Sequence, residues 1–343
     1  MFTFTLMRNG FRRAAPFALI AAFGLAACGG GYSSSTPYGM SGATGAAASK
    51  LFAADSPHMA VGSLANPNPS PGAIPVDRII SGMFYTQLSN KIGSLALDPA
   101  LDYLYVGNGT SILVFYGASM ANGDISPSRV ISGIGNTGSL FLDTTTNNRL
   151  YVGDDVFGVR VFDHASTISG PAASTRVITG LGTIHGVAVD AGNNILYVSN
   201  TTSTPSNEIN LFTASTANDP ATPIKTITPT TVSAVNLHVG GISLDIVNDR
   251  LYVAGFTDST VMVFDGVHST PGGAIPPTKT LTFPVTTGTI SSVTIDSANN
   301  RLYAVSLGAI YILNNASAAM DPITVTAVLV PSMGSFTAVA VAP

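Results

Sequence analysis

The chain has 343 residues, 45% of them hydrophobic, with 14 Lys and Arg against 18 Asp and Glu, five histidines, one cysteine and no tryptophan. A net charge of −4 without a basic run argues against a nucleic-acid-binding surface. A lone cysteine excludes an internal disulfide, so stability must come from packing.

At the N-terminus, "MRNGFRRAAPFALIAAFGLAAC" reads as a basic stretch, an apolar stretch and a small-residue cleavage site. That order marks residues 1–27 as an export signal rather than a membrane span. Its end, Leu25-Ala26-Ala27-Cys28, resembles the bacterial lipobox. The resemblance implies cleavage before Cys28 and diacylation of its sulfur. With Gly29 where Asp would imply inner-membrane retention, it also implies an outer-membrane address, periplasmic or surface-exposed. Cleavage removes Arg8, Arg12 and Arg13, leaving eleven basic residues against 18 acidic ones, a net charge of about −7. Residues 28–49 follow Cys28 with "GGGYSSSTPYGMSGATGAAAS", which has too few large aliphatic residues to fold and is expected to tether lipid to domain.

From residue 50 to 343 one phrase recurs: "DYLYVGN" at 102–108, "NNRLYVGDD" at 147–155, "NILYVSN" at 194–200, "DRLYVAG" at 249–255 and "NRLYAVS" at 300–306, with a fainter "SKLFAAD" at 49–55. Leu51, Leu104, Leu150, Leu196, Leu251 and Leu302 mark a period of 46 to 55 residues, the signature of a repeat architecture. Each clear copy follows an aliphatic run ending in Asp98, Asp143, Asp190, Asp245 or Asp296. No helical period is present, and each repeat offers four short β-like runs, here A to D in chain order. In the third repeat they are "HGVAVD" (185–190), "ILYVSN" (195–200), "EINLF" (208–212) and "IKTITP" (224–229). Between A and B, Asp and then Asn or Asp bracket a hairpin turn, where short polar side chains bond to backbone and tolerate left-handed dihedrals.

A four-stranded sheet of this size cannot hide both faces alone, and radial stacking of such sheets gives an all-β propeller. The ends count the blades. "FTAVAVAP" (336–343) is an A strand with nothing after it, while "KLFAAD" (50–55), "HMAVGSL" (58–64) and "VDRIISG" (76–82) read as B, C and D. The expectation is a six-bladed β-propeller of four-stranded blades, closed by one C-terminal strand joining three N-terminal ones. "HGVAVDAGNNILYVSN" (185–200) followed by "INLF" resembles the NHL repeat and the related YVTN-type repeat. These families include binding and scaffold propellers, and similar folds occur in metal-dependent lactonases and lyases.

The A–B and C–D turns should open on one face of the disc and the D–A and B–C turns on the other, where the resemblance places binding sites. On that second face fall Asp154, Asp155, His185 and His238, expected as ligands if a divalent metal is bound, and His58, Glu208 and Asp258 as further ligand-binding residues. Imidazole and carboxylate together suit metal binding or general acid–base work, but no repeated ligand spacing, HExxH or GxSxG accompanies them. Nine of the eleven basic residues open B or D strands, Lys91 and Arg160 being the exceptions, so the nine are expected as solvated or carboxylate-paired blade edges. Two functions remain: an envelope-anchored binding or scaffold module for a protein or glycan, and a metal-dependent lactonase-like hydrolase or lyase at the channel mouth.

Overall fold

The computed structural model describes residues 50–64, 76–201, 207–219, 221–230, 238–257, 259–285, 289–329 and 335–342. The signal segment, Cys28, the tether and Asp258 lie outside them.

Six antiparallel sheets follow the expected repeats. Blade 1 combines A, Phe336–Ala342, with B, Lys50–Asp55, C, Ala60–Leu64, and D, Arg78–Ser81. Blade 2 runs through Ile92–Asp98, Tyr103–Asn108, Ser111–Tyr116 and Arg129–Ser132. Blade 3 consists of Thr137–Asp143, Arg149–Asp154, Gly158–Phe162 and Arg176–Ile178, and blade 4 of Thr183–Asp190, Ile195–Thr201, Asn207–Thr213 and Lys225–Pro229. Blade 5 is Val239–Asp245, Arg250–Gly255, Thr260–Asp265 and Lys279–Thr282; blade 6 is Ile290–Asp296, Arg301–Ser306, Ala309–Asn314 and Ala327–Leu329. The six A strands contact one another in blade order and close back on blade 1, making a ring. Closure is by pairing, with Phe52 opposite Ala340 and Ala53 opposite Val339.

The repeated phrase is the unit of blade stacking. Strand alternation sends Leu and Val to one face and Tyr to the other. Tyr105 therefore packs with Leu150 and Val152 of blade 3, and Tyr151 with Leu196 and Val198 of blade 4. Tyr197 meets Leu251 and Val253, Tyr252 meets Leu302 and Ala304, and Tyr303 meets Leu51 and Ala53. In blade 1 Phe52 takes the tyrosine's place against Leu104 and Val106. All five tyrosines are fully buried, and each such side chain contributes about 1.5–3 kcal/mol of hydrophobic stabilisation.

The A–B turns are built as their sequence requires. Asp98 accepts from the N–H groups of Ala100 and Leu101, Asp143 from Thr145 and Thr146, and Asp190 from Asn193. The residue before each clear B strand, Asp102, Asn148, Asn194, Asp249 or Asn300, sits at φ between 47° and 57°, where Asn and Asp are the most tolerant non-glycine residues.

Two features were not legible as strands. Each C–D loop from blade 2 to blade 6 returns along the outer D strand of the preceding blade. Gly170–Pro171 and Gly273–Ile275 pair in parallel with the D strands of blades 2 and 4. Gly123, Asp219 and Asp321 bond to those of blades 1, 3 and 5. These edges are thereby covered against further pairing.

Among the periodic cations, Arg149 and Arg250 are carboxylate-paired as expected, and the others find different partners. Arg149, Arg250 and Arg301 are buried and bond Asp163, Asp265 and Asn314 on the neighbouring C strand or its end. Arg78, Arg129, Arg176, Lys225 and Lys279 donate to backbone carbonyls in the C–D loop of the next blade, at Met120, Ala165, Ala217, His268 and Ser317. They staple blade to blade while staying half-buried at the surface.

Candidate functional site

The A strands surround a central channel, a cavity of about 470 Å³ lined by all six, with Ser94, Ser139, Ser243, Ser292 and Thr337 among its walls. Among the described residues Asp155 and His185 are the titratable ones lining it. Both stand on the face onto which the D–A and B–C loops open, called here the front face. His185 lies in the A strand of blade 4, where its Nε2 is 3.1 Å from the Thr201 hydroxyl and its ring stacks on Phe256 with centroids 6.4 Å apart. Burial holds its pKa below the ordinary imidazole value; the nearby Asp155 charge opposes that shift and His238 adds to it. At neutral pH the imidazole is therefore uncharged and can either donate or accept. Phe256, 45% exposed, opens the B–C turn of blade 5 and lines the same mouth.

Asp154 and Asp155 are neighbours in sequence with opposite fates. Asp154 is fully buried and accepts from the backbone N–H groups of Gly135, Asn136, Val156 and Phe157 at 2.7–3.3 Å, with the Arg160 guanidinium 3.7 Å away. Its lone pairs knit the D–A loop to the B–C turn. Asn108 and Asn200, at the same place in their blades, bind loop residues Ser89 and Leu181 in the same role. Asp155 is exposed, and accepts from the Asn136 amide at 2.7 Å and the Ile184 N–H at 3.3 Å. It keeps acceptor capacity toward solvent.

The ligand set expected from sequence does not assemble as a whole. Asp154 is committed to backbone, and the exposed His238 has its carbonyl bonded to the Phe256 N–H. Among the described residues no group of three or more His, Cys, Asp and Glu side chains comes together to hold a metal. His58 places Nδ1 3.0 Å from both oxygens of Asp55, and Glu208 accepts from Asn210 at 3.3 Å; neither lines the channel. His164 and His268 lie on the opposite, back face. His268 stands in the position filled by Ser119, Ser166, Ser215 and Ser317 in other blades, with Nδ1 hydrogen-bonded to Asp249 at 2.7 Å and Nε2 3.2 Å from Asp190 without hydrogen-bond geometry.

Sequence reasoning missed a second front-face cavity, also of about 470 Å³, at the rim of blade 3. Val156, Phe157, Val177 and Leu181 form its walls, Arg160 reaches into it, and Asp155 lines it as well as the channel. Arg160 holds the strand position occupied by Leu113 and Met262 in blades 2 and 5. It is sandwiched by Phe157 and Phe162, 5.4 and 5.0 Å from the ring centroids, and bonds the Gly133 carbonyl. The available signal was a charged residue at a repeat position that is uncharged in the other blades, where Gly62, Leu113, Asn210, Met262 and Tyr311 stand.

No family model matches the chain, and no curated protein matches it. Among solved structures it is similar to a chain of a nidogen/laminin complex, with a TM-score of 0.56 and 14% identity over 86% of this chain and 98% of that one. Likeness at that identity shows the β-propeller fold alone.

Proposed function

We propose that residues 50–343 form a protein-binding module whose front face takes the partner, displayed from the bacterial outer membrane by a lipid on Cys28 and the tether to residue 49. The observation that carries the reading is the contrast between Asp154 and Asp155. One carboxylate is locked into the fold, while the next is left exposed between two cavities beside a neutral imidazole and an exposed phenylalanine. Rigid strand ends hold this group, and no backbone closure depends on the outward side of Asp155. A protein is preferred to a glycan as partner because Val156, Phe157, Val177 and Leu181 in the rim cavity offer apolar surface to bury. The lactonase-like hydrolase or lyase is the second reading; of its expected ligands Asp154 is engaged by backbone donors, and among the described residues no three His, Cys, Asp or Glu side chains group to hold a metal.

The test is affinity capture from envelope extract on immobilised domain. Native domain should retain a partner that Asp155→Asn/His185→Ala releases at unchanged melting temperature, whereas the back-face variant Val247→Asp retains it. Equal retention by all three would overturn the reading.

A further inference from the structure

Resting on that reading, we propose that the front face recognises a peptide segment with a basic side chain at the channel mouth and an apolar, preferably aromatic, side chain in the rim cavity of blade 3, with Asp155 between them. Charge complementarity favours such a segment. Among the described residues no Lys or Arg lines the channel cavity, and its one carboxylate is that of Asp155. The rim cavity does hold a cation, Arg160, but Asp154 lies 3.7 Å from it and the carbonyl of Gly133 takes its Nη1, so its charge is already matched inside the protein. Across the two cavities the unmatched charge is therefore negative and sits at their junction.

Phe256 and His185 beside that carboxylate offer ring faces to an ammonium or guanidinium group, which gains from both contacts. The rim cavity selects differently. Val156, Phe157, Val177 and Leu181 give an apolar side chain a surface to bury against, and Asp155, Arg160, Ser174 and Thr179 are the polar part of the lining against which a hydroxylated ligand competes. Because Asp155 lines both cavities, one short segment can occupy them together, and the two contacts reinforce each other as linked sites do.

Fluorescent capped peptides containing Lys and Phe separated by zero to three alanines provide the probes, with Lys→Glu and Phe→Ala counterparts and a neutral glucose hexasaccharide. The native domain should bind at least one spacing tenfold or more tighter than its Glu counterpart, with the preference shrinking in high salt. Asp155→Asn should reduce that preference to under twofold. Thr179→Trp, which fills the rim opening, should remove the advantage of Phe over Ala without touching the charge preference. Equal affinity for Lys and Glu peptides, or tighter binding of the hexasaccharide, would overturn the inference. If no probe binds while envelope capture still depends on Asp155 and His185, the ligand class is wrong and the binding-module reading stands. If capture is also independent of them, both fall.

Discussion

Deleting residues 336–343 removes the A strand of blade 1 and opens the ring where the two ends of the fold meet. The strand pairs with Lys50–Asp55 through six residue pairs and buries Phe336, Ala338, Val339 and Ala340, each 5–7% exposed. Burial of Phe and Val side chains alone contributes about 3–6 kcal/mol. The ladder adds about 1 kcal/mol for each hydrogen bond kept from water, and removal also exposes an unpaired edge of Lys50–Asp55. Against a total of about 5–15 kcal/mol for a domain, the truncated protein should lose at least a third of its stability and associate through the open edge. Thermal melting and size-exclusion chromatography of native and truncated domain read both effects. A synthetic peptide of residues 335–343 should restore most of the melting temperature in trans. Coincident melting curves would show that the C-terminal strand does not close the ring.

Asp154→Ala should cost about 3–5 kcal/mol, since it strands four backbone donors and the buried Arg160, whereas Asp155→Asn should stay within about 0.5 kcal/mol; chemical denaturation of both separates a structural from an exposed carboxylate. The Tyr197 hydroxyl is buried without a hydrogen-bond partner among the described residues, while that of Tyr303 receives one from Arg301 at 3.3 Å. Tyr197→Phe should therefore be neutral or stabilising by about 1 kcal/mol and Tyr303→Phe destabilising, and a drop on Tyr197→Phe equal to that on Tyr303→Phe would refute the difference. His185 is held below its ordinary pKa by burial, so the unfolded chain binds its proton first as pH falls. Stability should decline as pH drops below about 6.5 and level off under the folded pKa; His185→Phe should remove this part of the acid sensitivity, and an unchanged pH profile would show otherwise. Cys28→Ser should abolish acylation and release the protein from the outer-membrane fraction, with unchanged partitioning as the contrary result.

The fold was legible because every blade repeats one packing solution. Leu and Val against Tyr, written six times with Phe52 as the last variant, specified strand, alternation and neighbour together, and the unmatched ends at 50–82 and 336–343 specified closure. The covering loops were not legible. Gly170–Pro171 and Gly273–Ile275 carry no alternation of their own and pair only because a long loop is drawn along an exposed edge. At the site, Asp154 and Asp155 look equivalent in sequence, although the recurrence of Asn108 and Asn200 at the position of Asp154 already hinted at a loop-binding role. Arg160 stood out only as a departure from the periodic cations, and what that departure does depends on side chains from other strands.

The most direct test of the account places a photoreactive amino acid at Phe256, on the front mouth, or at Val247, 82% exposed on the back face, and irradiates intact cells. The account predicts a discrete cross-linked partner from position 256, lost when Asp155→Asn is added, and none from position 247. A partner captured from position 247 and not from 256 would contradict it.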